Sequence, residues 1–229
     1  MSNAPWPNKR WTLTREQIAS GEVRRRIVAS GYPFPILSEE ALQAKLEETL
    51  EARDGADVWV FGYGSLMWNP AFYYAERRVG LVHGFHRRFC LWTHAGRGTP
   101  ENPGLTLALD RGGSCHGVAF RIDEDQAETE LGIVFKREMV SGAYAPRWVK
   151  VRTPEGIIRA VTFVINHAHD RYTGLLPENK VVEVIASAAG PLGACAEYLH
   201  NTVEHLGELG IVDRALFRLH DQVLERNGG

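Results

Sequence analysis

Between residues 57 and about 166 this 229-residue chain reads mostly as strand, with one helical interruption, and on both sides it reads as helix. Strands followed by helices, without strict alternation, point to an α+β domain with a largely antiparallel sheet or a small barrel. Asp57-Val58-Trp59-Val60-Phe61 has the β-branched and aromatic content of a buried strand. Residues 78–93 form one bent or bulged strand, or two, and further strands fall at 105–109, 115–122, 147–152 and 157–165. Asp110-Arg111-Gly112-Gly113 and Thr153-Pro154-Glu155-Gly156 are turn signals of hairpin size between them. The helical interruption spans 123 to about 137. Asp123 can cap it, Glu124, Asp125 and Glu128 complement its positive end, and Leu131, Val134 and Phe135 make one buried stripe. Helices follow at 178–189, 193–209 and 213–226, with Gly190-Pro191-Leu192-Gly193 separating the first two.

Residues 1–56 read as a helical extension to a second unit, 57–229. Helical character covers 15–30 and 38–53, broken by Gly31-Tyr32-Pro33-Phe34-Pro35, and Ser38 followed by Glu39 and Glu40 is a good helix start. Arg24-Arg25-Arg26 fits a solvated helix face better than an anion site. A formal net charge of −2 gives no general attraction to nucleic acid or anionic membranes, and no apolar run is long enough to span a bilayer. The opening Met1-Ser2-Asn3-Ala4-Pro5 lacks the basic-then-apolar pattern of a secretory signal, so the expected location is the cytoplasm. Cys90, Cys115 and Cys195 are odd in number and widely spaced, which suits buried apolar packing rather than a disulfide framework.

The first strand runs into Gly62-Tyr63-Gly64-Ser65. Glycines here can reach positive φ and let a ligand approach bare backbone, offering amide donors and one hydroxyl to a carboxylate, carbonyl or phosphate oxygen. A tight turn whose glycines only solve geometry accounts for the segment equally well. Nucleotide motifs fail on the letters. Met67 stands where a dinucleotide fingerprint needs a small residue, no Gly-Lys-Ser/Thr follows, and Pro70 disfavours a helix continuing from Asn69. Met67 also breaks the Gly-x-Ser-x-Gly elbow of a serine hydrolase.

Among many carboxylates, Glu138 has an unusual address, between Ile133-Val134-Phe135 and Met139-Val140, before Ser141-Gly142-Ala143-Tyr144. Burial there would raise its pKa and make it a general base and acid near neutrality. The alternative is an ion pair with Lys136, Arg137 or another arginine. His167-Ala168-His169-Asp170 has close spacing of metal-binding types, but no third cluster completes a site. His83 and His86 fall on opposite faces of a strand.

The block Val60-Phe61-Gly62-Tyr63-Gly64-Ser65-Leu66-Met67-Trp68-Asn69-Pro70 resembles the opening signature of the ChaC-type, glutathione-specific γ-glutamylcyclotransferases. The likeness continues through Gly84-Phe85-His86-Arg87-Arg88-Phe89, Arg97-Gly98-Thr99-Pro100-Glu101-Asn102-Pro103-Gly104, Gly117-Val118-Ala119-Phe120-Arg121, Arg137-Glu138-Met139 and Ala189-Gly190-Pro191-Leu192-Gly193, in the family's order. Phe120 stands where many relatives have tyrosine, and His116 where several eukaryotic relatives carry tryptophan. The resemblance implies a mixed β-barrel with flanking helices, and cleavage of glutathione to 5-oxoproline and cysteinylglycine without a metal or organic cofactor. It places the essential glutamate on Glu138 and the substrate loop on Val60, Phe61, Gly62, Tyr63, Gly64, Ser65 and Leu66. Tyr144 is a candidate substrate hydroxyl, and Arg87 or Arg88 a partner for the glycyl carboxylate. Another γ-glutamyl substrate, or a silent ligand-binding role on the same fold, are the alternatives. The resemblance says nothing about the first fifty-odd residues.

Overall fold

Five strands close into a barrel: β1 (Val58–Gly62), β2 (Glu76–Thr93), β3 (Gly104–Ile122), β4 (Tyr144–Thr153) and β5 (Gly156–Ile165), adjacent in the order β1-β3-β2-β4-β5. These ladders are antiparallel, and parallel contacts of β5 with β1 at Val161–Val60 and with β3 at Val164–Leu109 complete the ring. The architecture comes from a computed structural model that describes residues 13–55 and 57–228. The reading of Met1-Ser2-Asn3-Ala4-Pro5 lies outside the described residues.

β2 is a single strand with register shifts at His83/Phe85 and Phe89/Leu91. One expectation fails here. Asp110-Arg111-Gly112-Gly113 is no hairpin turn, because β3 runs straight through it. Gly112 (φ 93°) and Gly113 (φ 68°) instead supply extra residues opposite the register shift at Gly84. Left-handed glycines that would make a turn serve equally well as a bulge, which bends and twists a long ladder so that it can close. Thr153 to Gly156 does form the tight hairpin, with the Thr153 hydroxyl donating to the Gly156 carbonyl at 3.0 Å.

Val60 and Phe61, Leu105, Leu107 and Leu109, and Val161 and Phe163 fill the core from β1, β3 and β5. Helix α4 (Ala127–Glu138) covers it with Leu131, Val134 and Phe135, and the Phe135 ring meets Phe163 edge-on at 5.4 Å. Asp123 makes no side-chain cap. It pairs with Arg121, and a 3₁₀ turn at Glu124–Gln126 leads into the helix. Helices α5 (Glu178–Ser187), α6 (Cys195–Glu208) and α7 (Arg214–Gly228) pack on one another beside the barrel. The short ribbon β6 (Ala189–Gly190) and β7 (Gly193–Ala194) separates α5 from α6. No helix among the described residues is long and apolar enough to cross a membrane.

Before the barrel come α1 (Arg15–Ala19), α2 (Glu22–Ala29) and α3 (Glu39–Glu51). The helix expected over 15–30 is broken at Gly21, which takes φ 71°. Ser38 caps α3, its hydroxyl accepting the Ala41 amide at 3.1 Å. The Arg24-Arg25-Arg26 run is spent locally, on Leu37 and Glu39, on Ser20, and on Glu22 respectively. Among the ties between this arm and the barrel is Arg15, which hydrogen-bonds both carboxylate oxygens of Glu130 on α4. Glu130 is fully buried and also accepts the Tyr73 amide at 2.9 Å. Burial pushes its carboxyl up, but the Arg15 and Tyr73 hydrogen bonds prevail and hold it below the usual range. A carboxyl lowered in the fold contributes stability above its unfolded pKa and loses it as pH falls through the folded one. Arg15→Met should therefore cost about 2 kcal/mol at neutral pH, because a buried charge is left unpaired, and less on acidification. Urea denaturation of both proteins across pH 3 to 7 checks the size and the sign.

Candidate active site

β1 hands the chain directly to the loop at its end. Tyr63 is buried, its hydroxyl donating to the Phe163 carbonyl at 2.8 Å while its own carbonyl accepts from Arg87 at 2.9 Å. Ser65–Met67 form one 3₁₀ turn, closed by the Met67 amide on the Gly64 carbonyl at 2.9 Å. The amides of Ser65 and Leu66, first in that turn, have no acceptor within it. Neither Gly62 nor Gly64 takes a positive φ, so conformational freedom is not why glycine stands there. Space is the reason at Gly64, where a Cβ would lie 2.8 Å from the Tyr198 hydroxyl.

α4 brings its last residue to this loop. Arg137, on the same turn, donates to the Ser65 hydroxyl at 2.9 Å, to the Asn69 carbonyl and to the Pro70 carbonyl at 3.2 Å. Its Nε lies 3.1 Å from Glu138 Oε1. The side chains of Arg137 and Glu138 are only 5% and 16% exposed, so their pairing is largely shielded from water. Burial raises the Glu138 carboxyl above its ordinary 4.5, and the Arg137 charge offsets only part of that. Glu130, eight residues earlier on the same helix, is shifted the opposite way. Both outcomes weighed for Glu138 thus coexist: it is ion-paired, and its pKa is still raised.

A cavity of about 170 Å³ stands over Glu138, lined among others by Tyr63, Gly64, Ser65, Leu66 and Tyr144. Tyr144 donates its hydroxyl to the Leu107 carbonyl at 2.6 Å. Burial, with Glu138 nearby, lifts the Tyr144 phenol well above 10, so it remains protonated. Val60 and Phe61 lie in the barrel core and Gly62 beneath the loop, and these three do not line the cavity. Arg137, Tyr198 and Leu13 line it without having been singled out. Arg137 stood next to the glutamate as a pairing partner, but the residues of α6 and of the arm carry no local signal.

Arg87 and Arg88 both differ from expectation. The Arg87 side chain is buried under the loop, bonded to Tyr63 and His116 carbonyls and 3.0 Å from Asp213. Arg88 holds Asp110, Tyr172 and the Gly174 carbonyl. Both are girders of the fold. His167 bonds Asp110 at 2.7 Å and His169 donates to the Ser141 carbonyl at 2.9 Å. Among the described residues no group of three or more His, Cys, Asp or Glu is arranged to hold a metal ion. All three cysteines are buried, and burial pushes the thiols up, to about 12 at Cys90 and about 11 at Cys195, so none is a thiolate at neutral pH.

Compared with known proteins, residues 58–226 match the family of ChaC-like proteins. This chain belongs to that family. It is 42% identical over 181 residues to the glutathione-specific γ-glutamylcyclotransferase of Escherichia coli (strain K12), covering 78% of each chain. It is 34% identical over 151 residues to glutathione-specific γ-glutamylcyclotransferase 1 of Homo sapiens, covering 64% of this chain and 68% of that one. The barrel superposes on a crystal structure of a yeast γ-glutamylcyclotransferase specific to glutathione with a TM-score of 0.68 at 23% identity, covering 75% of this chain and 97% of the other, which establishes a shared fold. In this ChaC-like chain, Arg137→Gln removes a charge that favours Glu138 ionisation. The Glu138 carboxyl should then titrate at still higher pH, as read by carbon NMR of labelled glutamate, whereas an unmoved titration would mean that the pair at 3.1 Å is electrostatically idle.

Proposed function

We propose that the chain is a glutathione-specific γ-glutamylcyclotransferase and that Glu138 is its general base and acid. The observation that carries the reading is a buried carboxylate with a raised pKa in a cavity that Tyr63, Gly64, Ser65 and Leu66 also line. The E. coli relative bearing the same activity in its name supports the choice of substrate.

A γ-glutamyl compound contains its own nucleophile. Its α-amine attacks the γ-carbonyl, closes a five-membered lactam, and expels the amide nitrogen of the next residue. Folding the substrate into that shape is most of the work, since intramolecular orientation is worth effective molarities of about 10⁵ M or more. Proton transfers remain: the α-ammonium gives up one proton to become a nucleophile and a second as the ring closes, and the departing nitrogen gains both, leaving as an amine that ends as an ammonium. A carboxylate with a raised pKa takes up a proton from the attacking nitrogen and passes it to the departing one, so the products are 5-oxoproline and cysteinylglycine and no water is consumed. The amides of Ser65 and Leu66, with the Ser65 hydroxyl oriented by Arg137, are the donors for the substrate's α-carboxylate or for the oxyanion that forms on the γ-oxygen.

Beyond the cavity opens a groove of about 660 Å³ whose lining includes Arg15, Arg97, Arg137 and a single acid, Glu197. Each of these guanidiniums has a carboxylate partner, in Glu130, Glu197 and Glu138 respectively, so the groove offers fixed N–H donors rather than net positive charge, and we assign the glycyl carboxylate to it rather than to Arg87 or Arg88. Arg97 pairs with Glu197 at 3.1 Å, which fixes it on the groove wall.

Incubation of the purified protein with glutathione, followed by mass-resolved product analysis, should yield 5-oxoproline and cysteinylglycine. Free glutamate would mean that water attacked, and a hydrolase. Glu138→Gln should lower kcat by at least about 10²-fold, and retained turnover would remove Glu138 as the base. Because the base must be ionised and its pKa is raised, wild-type activity should rise with pH along a limb centred above 4.5.

A further inference from the structure

Three cavities meet at Leu13. Besides the space over Glu138 and the basic groove there is a chamber of about 150 Å³ between the N-terminal arm and the barrel rim. Val23, Ile27 and Tyr32 wall it on the arm side, and Val140 and Leu192 on the other. Glu138, Arg137 and Tyr144 belong to its wall and to that of the catalytic cavity alike, so both spaces open on the same carboxylate. Apolar side chains dominate the lining. The chamber is half open, with Arg171 also at its wall, and a mainly apolar space of about this size has room for a benzene-sized group.

We propose that this chamber is a subsite for an apolar side chain on the residue bonded to the γ-glutamyl unit, and that the N-terminal arm sets its size. This rests on the assignment of Glu138 as the reacting centre. A substrate's second residue branches at its α-carbon into a side chain and an onward peptide. With the scissile amide against Glu138, that branch point sits where the cavities join. The onward peptide ends in a carboxylate and matches the arginine-lined groove. The side chain is left with the apolar chamber. A cysteinyl CH₂SH underfills a benzene-sized space, so the same subsite takes S-alkylated glutathione as well. The arm walls precede residue 58, where the family match begins, and they are pinned in place. The Leu37 amide donates to the Val140 carbonyl at 2.9 Å, Arg171 donates to the Tyr32 hydroxyl at 2.9 Å, and Arg15 holds Glu130.

The test is binding by calorimetry in the Glu138→Gln background, which separates occupancy from turnover. The ligands are glutathione, S-propylglutathione and γ-glutamyl-glycyl-glycine, the last having the onward peptide but no side chain. S-Propylglutathione should bind about tenfold more tightly than glutathione, since three further carbons leave water. Adding Ile27→Phe fills the chamber. It should weaken S-propylglutathione by about tenfold or more, while γ-glutamyl-glycyl-glycine stays within about twofold. If that variant does not fold, Ile27→Ala enlarges the chamber and should favour S-hexylglutathione over S-propylglutathione. Much weaker binding of S-propylglutathione than of glutathione would overturn the proposal. So would an Ile27→Phe effect equal on all three ligands, or an Ile27→Ala effect on neither S-alkyl ligand. Because these are binding measurements, absence of 5-oxoproline from the wild type would defeat the assigned reaction without touching the subsite.

Discussion

A carboxylate buried beside one guanidinium is pulled two ways, and the active site depends on which pull prevails. Removing Glu138 from water favours its neutral form, and Arg137 at 3.1 Å favours the ionised one. Burial dominates, leaving a group that releases and recovers a proton more readily near neutrality than an ordinary glutamate. Arg137 is restrained by what else it holds. The Ser65 hydroxyl and the Asn69 and Pro70 carbonyls divide its donors, so the guanidinium is as much a clamp on the loop as a counter-ion. The same side chain therefore fixes Glu138 relative to the loop at Ser65. By linkage, an acid raised in the folded state favours the fold while protonated, and that contribution fades as pH rises through its folded pKa. Ionising Glu138 in the folded state therefore draws on the stability of the barrel and helix packing around it.

Glu130 shows what the same helix does with a carboxylate it needs only for structure. It is less exposed to solvent than Glu138, and Arg15 grips both of its oxygens while the Tyr73 amide takes a further bond. Its pKa falls where that of Glu138 rises. Burial alone does not distinguish a catalytic carboxylate from a structural one. The number of hydrogen bonds made to the charged form does, and Glu138 is left with an arginine that is mostly committed elsewhere.

Much of the fold was legible because strand alternation and turn composition act locally. The Pro154-Glu155 hairpin, the stripe Leu131, Val134, Phe135 and the cap at Ser38 are each set by a few neighbouring residues. The failures come from competing partners, near or far, that composition does not reveal. Gly112-Gly113 has the composition of a turn and of a bulge, and only the ladder with β2 decides between them. Asp123 is capable of capping a helix, but Arg121 two residues away claims its carboxylate. Arg87 and Arg88 looked free for a ligand because Asp213 and Asp110, their partners, are remote in sequence. In the site, Glu138 was conspicuous from its apolar flanks. Tyr198 and Leu13 reach the cavity only through the docking of α6 and of the arm, which no local pattern encodes.

The arm changes what kind of site this is. A barrel end with a glycine loop and one carboxylate would leave the reacting centre open on the side of the Val140 and Leu192 walls. Residues 13 to 32 cover that side with Leu13, Val23, Ile27 and Tyr32, which wall a half-open, mainly apolar space there instead. Glu138 stands in the wall of the same space, and its withdrawal from water is the largest influence raising its pKa. One segment therefore borders both the proposed base and the proposed subsite. In this way a segment lying before the family-matched span supplies wall to the space around the proposed base.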